Sequence, residues 1–111
     1  MNELLWKIDL WLLEFEGEID AHFGAGDVDR GMAAYRAWHE NVAKSIAHVD
    51  RNLAHSFART AQNAETKLQN RSALTPRTIF MRTCGGKSKR FLNDIKRKAM
   101  NGTLKVGSGA A

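Results

Sequence analysis

Basic side chains are concentrated near the end of this 111-residue chain, and their spacing suggests binding to negatively charged groups. At 100° per residue, a helix over residues 89–100 places Phe91, Leu92, Ile95 and Ala99 in one quadrant and basic residues on the opposite side. Such a helix can pack its apolar side on the protein and turn its cations towards phosphates or acidic side chains. The candidate binding residues are Arg82, Lys87, Lys89, Arg90, Lys96, Arg97 and Lys98.

A second set of basic residues lies further upstream at helical spacing. Its members follow one another at intervals of four, three, four and four residues, so one continuous helix would place them on a common face. Two histidines would make the charge of that face depend on pH near neutrality. An ordinary solvated helix face is the alternative. This secondary basic ridge comprises Lys44, His48, Arg51, His55 and Arg59.

No nucleophile, base and orienting residue have a recognisable catalytic spacing, and no group of residues forms a complete set of metal ligands. His48 and His55 would lie about 10 Å apart along a helix, too far to share one metal ion. His39 falls at the edge of an apolar stripe, where a hydrogen-bonded interior group is expected. Residues 86–88 (Gly-Lys-Ser) lack the earlier glycine and the preceding strand of a phosphate-binding loop. We expect a protein that is not an enzyme, with no metal, no cofactor and no small-molecule substrate.

Charge is distributed unevenly along the chain. Residues 1–29 carry a net charge of −7, residues 30–70 carry +3 and residues 71–111 carry +9, which together give the +5 of the whole chain. This asymmetry favours an interaction surface for nucleic acid or for an anionic partner. Near the start, Asp9, Glu16 and Asp20 form an acidic ridge that is expected to stay in water or to meet cations.

The first predicted helix spans about residues 3–23. Its apolar residues recur at intervals of three and four, the helical period. Trp6, Leu10 and Leu13 form a second apolar stripe on the same helix. We interpret this stripe as a candidate protein interface, which could pack within a bundle, against a second copy of the chain in a homo-oligomer, or against another protein.

A single long helix is predicted over about residues 28–69, because its apolar stripe continues without a proline. Asp27 is placed to cap its start. A break near Asp50, acting as an internal N-cap, is the competing interpretation. Tyr35 and Trp38 fall in the stripe and are expected to pack in the core rather than to stack on bases.

Two short helices are predicted at the end, over about residues 76–83 and 89–100. Thr75 and Pro76 suit the start of the first, Gly85-Gly86 would form the turn between them, and Ser88 could cap the second. The outline only loosely matches a DNA-binding helix-turn-helix. Residues 107–111 resemble a flexible tail.

Composition limits the architecture to one helical domain over residues 1–106. Apolar residues make up 43% of the chain, enough for one modest core, and the lone Cys84 favours a reducing compartment, so we expect a cytoplasmic protein. No apolar run approaches the roughly 20 residues that span a bilayer. The predicted fold class is all-α, an elongated helical hairpin or small bundle with one long central helix and a short basic C-terminal helix pair.

The leading functional hypothesis is a noncatalytic nucleic-acid-binding or nucleic-acid-associated regulatory protein that uses its basic C-terminal helix. The alternative is a small modulator or inhibitor, of the kind that phages or plasmids encode, that binds a host DNA- or RNA-processing enzyme through protein–protein contacts. The bipolar charge is compatible with both hypotheses. The expected partners are therefore nucleic acid or a nucleic-acid-processing protein, and no membrane.

Overall fold

The computed structural model describes residues 2–64 and 75–104, and every regular element in those ranges is helical, which confirms the all-α class. The predicted tail at 107–111 and the end of the predicted long helix, residues 65–69, lie outside the described residues. The elements are α1 (Asn2–Glu14), a π-helical turn (Phe15–Ile19), α2 (Asp20–Gly24), α3 (Val28–Ala47), α4 (Arg51–Ala58), a 3₁₀ turn (Arg59–Ala61), α5 (Pro76–Arg82) and α6 (Cys84–Met100).

The first predicted helix is present as α1, the π turn and α2, which follow one another without a break. Its buried residues are Leu4, Ile8, Trp11, Phe15, Ile19 and Phe23. The last four are each four residues apart, and a regular α-helix would rotate each by about 40° relative to the one before. Because a π turn has more residues per turn, it keeps this row directed at the core.

The single long helix predicted over 28–69 is wrong, and the alternative break near Asp50 is correct. Helix α3 ends at Ala47, and the Asp50 carboxylate accepts hydrogen bonds from the backbone N–H groups of Asn52 (2.7 Å) and Leu53 (3.3 Å) at the start of α4. The chain reverses there, since the rings of His39 and Phe57 stack with centroids 4.2 Å apart. On a continuous helix these residues would be about 27 Å apart.

Helix α4 therefore folds back along the second half of α3 and covers its apolar stripe. The Trp38 ring also contacts Phe57, at a centroid distance of 6.0 Å, and the His39 ring hydrogen-bonds to Thr60 just beyond α4. The hairpin of α3 and α4 therefore buries the apolar stripe without the long central helix that the periodicity of the sequence predicted.

The two C-terminal helices are joined by one residue, Thr83, and α6 begins at Cys84. The prediction that Gly85-Gly86 forms a turn is wrong, because both glycines lie buried in the first turn of α6. A Cβ atom on Gly85 would overlap the Phe80 ring, and one on Gly86 would overlap the backbone carbonyl of Met81. The glycines thus permit close packing of α5 on α6. The single-residue connection also differs from the longer turn of a DNA-binding helix-turn-helix.

Aromatic rings join the helices into one core. Phe80 of α5 stacks on Phe23 (4.1 Å between centroids) and on Phe15 (5.9 Å), and meets Tyr35 edge-on at 4.9 Å. The indole N–H of Trp38 donates to the carbonyl of Trp11 at 3.0 Å, which links α3 to α1. Tyr35 and Trp38 are therefore core residues, as predicted.

Candidate polyanion-binding surface

Helix α6 carries most of the predicted binding residues, and its apolar side is held in the core. Leu92 and Ser88 are fully buried and Ile95 is 3% exposed. Ion pairs on one flank fix its direction: Lys96 Nζ lies 2.5 Å from Asp9 Oδ1, and Lys89 Nζ lies 2.8 Å from Glu16 Oε1. Lys89 precedes Lys96 by seven residues, whereas its partner Glu16 follows Asp9 by seven residues. Helix α6 therefore runs antiparallel to the first helix.

The expectation that the basic side of this helix faces outward is therefore wrong for Lys89 and Lys96. Their ammonium groups neutralise two members of the acidic ridge, and Arg77 of α5 forms two hydrogen bonds, at 2.8 and 3.0 Å, with the third, Asp20. This pairing raises the pKa of the Arg77 guanidinium. Of the two expectations for the acidic ridge, contact with cations is the one that the structure shows, and its three acids are paired with cations of the C-terminal helices.

Four predicted cations remain on the solvent side of α6, and we call them the outer strip: Lys87, Arg90, Arg97 and Lys98. At 100° per residue they occupy an arc of about 100° on the side of α6 that points away from α1, and Asp94 lies within this arc. An open concavity along this side is lined by Lys87, Arg90, Phe91, Asn93, Asp94 and Arg97. Arg82, at the end of α5, is also exposed.

Asp94 is the acid nearest to the outer strip in sequence and interacts with two of its members. Lys98 Nζ lies 3.1 Å from Asp94 Oδ2, and Arg97 also donates to the carboxylate. The hydrogen bond from Lys98 is the main cause of the lowered pKa of Asp94, and Arg97 contributes to it. Within residues 2–64 and 75–104, Lys87 makes no ion pair, and the side chain of Arg90 makes one hydrogen bond, to the Gly86 carbonyl at 3.5 Å.

The secondary basic ridge is not one helix face. All five members are exposed, but the reversal at residues 48–50 separates Lys44 on α3 from Arg51 and His55 on α4. Lys44 also pairs with Glu40 at 3.0 Å. The predicted spacing depended on one continuous helix, so the common face disappears with that helix.

The second apolar stripe of the first helix, Trp6, Leu10 and Leu13, lies on the surface of α1. Trp6 is 65% exposed, Leu10 40% and Leu13 66%. We call these three residues the α1 apolar face. They lie opposite the buried Leu4 and Ile8, so the stripe does not pack within the bundle.

A buried chain of hydroxyl groups joins three helical segments, and the sequence did not predict it. The Tyr35 and Ser88 hydroxyl oxygens are 2.7 Å apart, and Ser88 Oγ is 2.7 Å from Thr60 Oγ1. Thr60 donates to the Phe57 carbonyl (2.6 Å) and lies 2.9 Å from His39 Nε2. Since the Thr60 proton is used in that bond, the geometry suits a His39 ring whose Nε2–H donates to Thr60.

Burial sets the protonation of the two ring groups in this network. It lowers the pKa of His39 to about 4 and raises that of Tyr35, so both are neutral near pH 7. The prediction that His39 is a hydrogen-bonded interior group is confirmed. Ser88 was predicted as a helix cap, but its hydroxyl lies inside the core in this network. The network stabilises the junction of α3, the 3₁₀ turn and α6.

Residues 2–64 and 75–104 contain neither a metal-binding cluster nor a membrane-spanning helix. No group of three or more His, Cys, Asp or Glu side chains in that part of the chain is arranged to hold a metal ion. No helix described there is both long and apolar enough to cross a bilayer. Cys84, the one cysteine, is buried.

Comparison with known proteins identifies no relative of the chain. No protein-family model matches it, and neither the curated proteins nor the solved structures contain a significant match.

Proposed function

We propose that this protein is a noncatalytic nucleic-acid-binding regulator that contacts phosphates through the outer strip of α6. The observation that supports the proposal is that Lys87, Arg90 and Arg97 remain on the solvent side of a helix whose other flank is fixed by ion pairs. Nucleic-acid affinity of this kind comes mainly from neutralising phosphates and releasing their counterions. Lys89 and Lys96 are excluded from the proposed contact set.

The pairs that Asp94 makes with Arg97 and Lys98 do not prevent such binding. The side chains of both cations are more than half exposed, at 70% and 51%. Exposed ion pairs of this type contribute only about 0–1 kcal/mol, so a phosphate can replace the carboxylate at small cost. Until then Asp94 holds the two cations in place beside Arg90.

The test is a titration of labelled duplex and single-stranded oligonucleotides at about 50 and 200 mM salt, a range over which phosphate contacts weaken strongly. The variant Lys87→Glu/Arg90→Glu/Arg97→Glu should lose at least about tenfold in affinity, and its salt dependence should fall by about three in log–log slope. The matched control, Lys44→Glu/Arg51→Glu/Arg59→Glu, changes the net charge by the same amount but at residues of the secondary basic ridge. It should lose much less affinity.

Equal losses in the two variants would show that overall charge, rather than the outer strip, determines binding. Negligible binding by the wild-type protein at the lower salt concentration would contradict the proposal. Circular dichroism of both variants checks that they remain helical.

One observation favours the second candidate, a modulator that binds a nucleic-acid-processing enzyme. From Lys87 to Arg97 the outer strip extends only about 15 Å, and its four cations are fewer than the 6–10 phosphate contacts of strongly salt-dependent DNA binders. An acidic patch on a protein would match so small a surface. In that case oligonucleotides would not bind, and a protein captured from lysate would be lost with the outer-strip variant but retained with the control.

A further inference from the structure

Most of the large apolar side chains exposed in the described ranges lie on one face of one helix. Four are exposed, namely Trp6, Leu10, Leu13 and Met100, and the first three form the α1 apolar face. Their spacing of four and three residues is that of a helix-pairing seam. An exposed tryptophan flanked by two leucines is typical of a protein–protein contact.

The charges along the two edges of this face differ. On one edge Asp9 and Glu16 are already paired with Lys96 and Lys89 of α6. On the other edge lie Lys7 and Glu14, seven residues apart and of opposite charge. In the part of the chain that the structure describes, the one ion pair of Lys7 is with Glu3 at 3.5 Å. Because the Glu3 side chain is 81% exposed, Lys7 can exchange this partner easily.

We propose that two copies of the chain pair through their α1 apolar faces, with the two α1 helices antiparallel about a twofold axis near Leu10. Such an axis brings the same edge of both helices together. Lys7 of each copy then meets Glu14 of the other, and the two ion pairs are identical by symmetry. A parallel pair would instead bring Lys7 and Glu14 against the Asp9–Glu16 edge of the second copy, whose charges are already paired with α6, so Lys7 and Glu14 would find no free partner there.

The size of the surface predicts a weak, reversible dimer. Three apolar side chains and their flanking charges from each copy place the interface at the low end of specific interfaces, below about 1,200 Å² in total. The dissociation constant of the dimer should therefore lie in the micromolar range. The proposal does not depend on nucleic-acid binding, because the outer strip lies on the side of α6 that points away from α1. A dimer would present two such strips.

Sedimentation velocity of the protein alone, from about 1 to 200 μM, tests the pairing over that range. The wild type should shift from monomer to dimer, and Leu13→Glu should remain monomeric throughout. Ala37→Glu, an exposed apolar position on α3, is the matched control and should dimerise like the wild type.

Charge exchange tests the antiparallel arrangement itself. Lys7→Glu alone and Glu14→Lys alone should each weaken dimerisation several-fold, and the double variant should restore it because both ion pairs re-form with reversed polarity. A wild type that stays monomeric at all concentrations, a Leu13→Glu variant that still dimerises, or a double variant weaker than both single variants would overturn the proposal. Circular dichroism confirms that each variant remains helical.

Discussion

At the scale of single residues, folding clearly changes the protonation of the His39 ring. Its ring is stacked on Phe57 and hydrogen-bonded to Thr60, with 7% of its surface exposed. Burial lowers its pKa from 6.5 to about 4, so between these values the unfolded chain binds a proton that the folded protein does not. The contribution of His39 to stability is fully present above pH 6.5 and is lost as the pH falls towards 4.

The shift predicts a measurable pH dependence of stability. Between pH 7 and pH 5 the wild type should lose about 2 kcal/mol more unfolding free energy than His39→Gln, in which the titrating ring is absent. Urea denaturation at both pH values measures the difference. His48→Gln, at an exposed position, should behave like the wild type. An equal pH response in His39→Gln and the wild type would contradict the buried, neutral histidine.

Sequence reasoning at this scale identified residue environments better than residue partners. The apolar stripe over residues 28–69 predicted that Tyr35 and Trp38 are buried. In the first helix, however, neither apolar stripe included Trp11, which is 7% exposed. The pairing of Lys89 and Lys96 was missed, although Asp9 and Glu16 repeat the same seven-residue interval and could have suggested two antiparallel helices. Spacing along one helix shows which residues share a face, whereas the neighbour of that face depends on the tertiary fold.

At the scale of elements, local chemistry decided where helices end. The apolar stripe of residues 28–69 was continuous enough to predict one helix, and Asp50 was the only indication of the reversal. The carboxylate in the N-cap position, together with burial of Phe57 against α3, overrides the periodicity. Gly85-Gly86 predicted a turn where the structure has a continuous helix, because glycine occurs both in turns and where helices approach closely.

A tightly packed glycine and a glycine with open space around it predict opposite effects of alanine. Gly86→Ala should destabilise the protein by about 1–3 kcal/mol, since the added methyl would overlap the Met81 carbonyl, which is backbone and cannot rotate away. Gly17→Ala, where no atom lies within 4 Å of the added carbon, should stabilise it by about 0.5–1 kcal/mol. Thermal unfolding measures both. A Gly86→Ala variant as stable as the wild type would contradict the close packing of α5 on α6.

At the scale of the whole molecule, the C-terminal helices divide their cations between two tasks. Lys89 and Lys96 hold α6 against the first helix, and the outer strip remains available to a partner. Net charge along the sequence predicted a basic surface, but it could not separate these two sets, since both lie on the polar side of the same helix. The α1 apolar face lies elsewhere on the molecule, so the proposed self-association and the proposed polyanion binding can be tested separately.

The most direct test of this division compares two double variants with the same change in charge. Oligonucleotide affinity is measured for Lys87→Ala/Arg90→Ala and for Lys89→Ala/Lys96→Ala, together with the thermal stability of each. We predict that the first pair lowers affinity about tenfold or more at unchanged stability. The second should lower stability by up to about 1 kcal/mol and affinity by less than about threefold. Equal affinity losses in the two variants, or a larger loss in the second, would contradict the account.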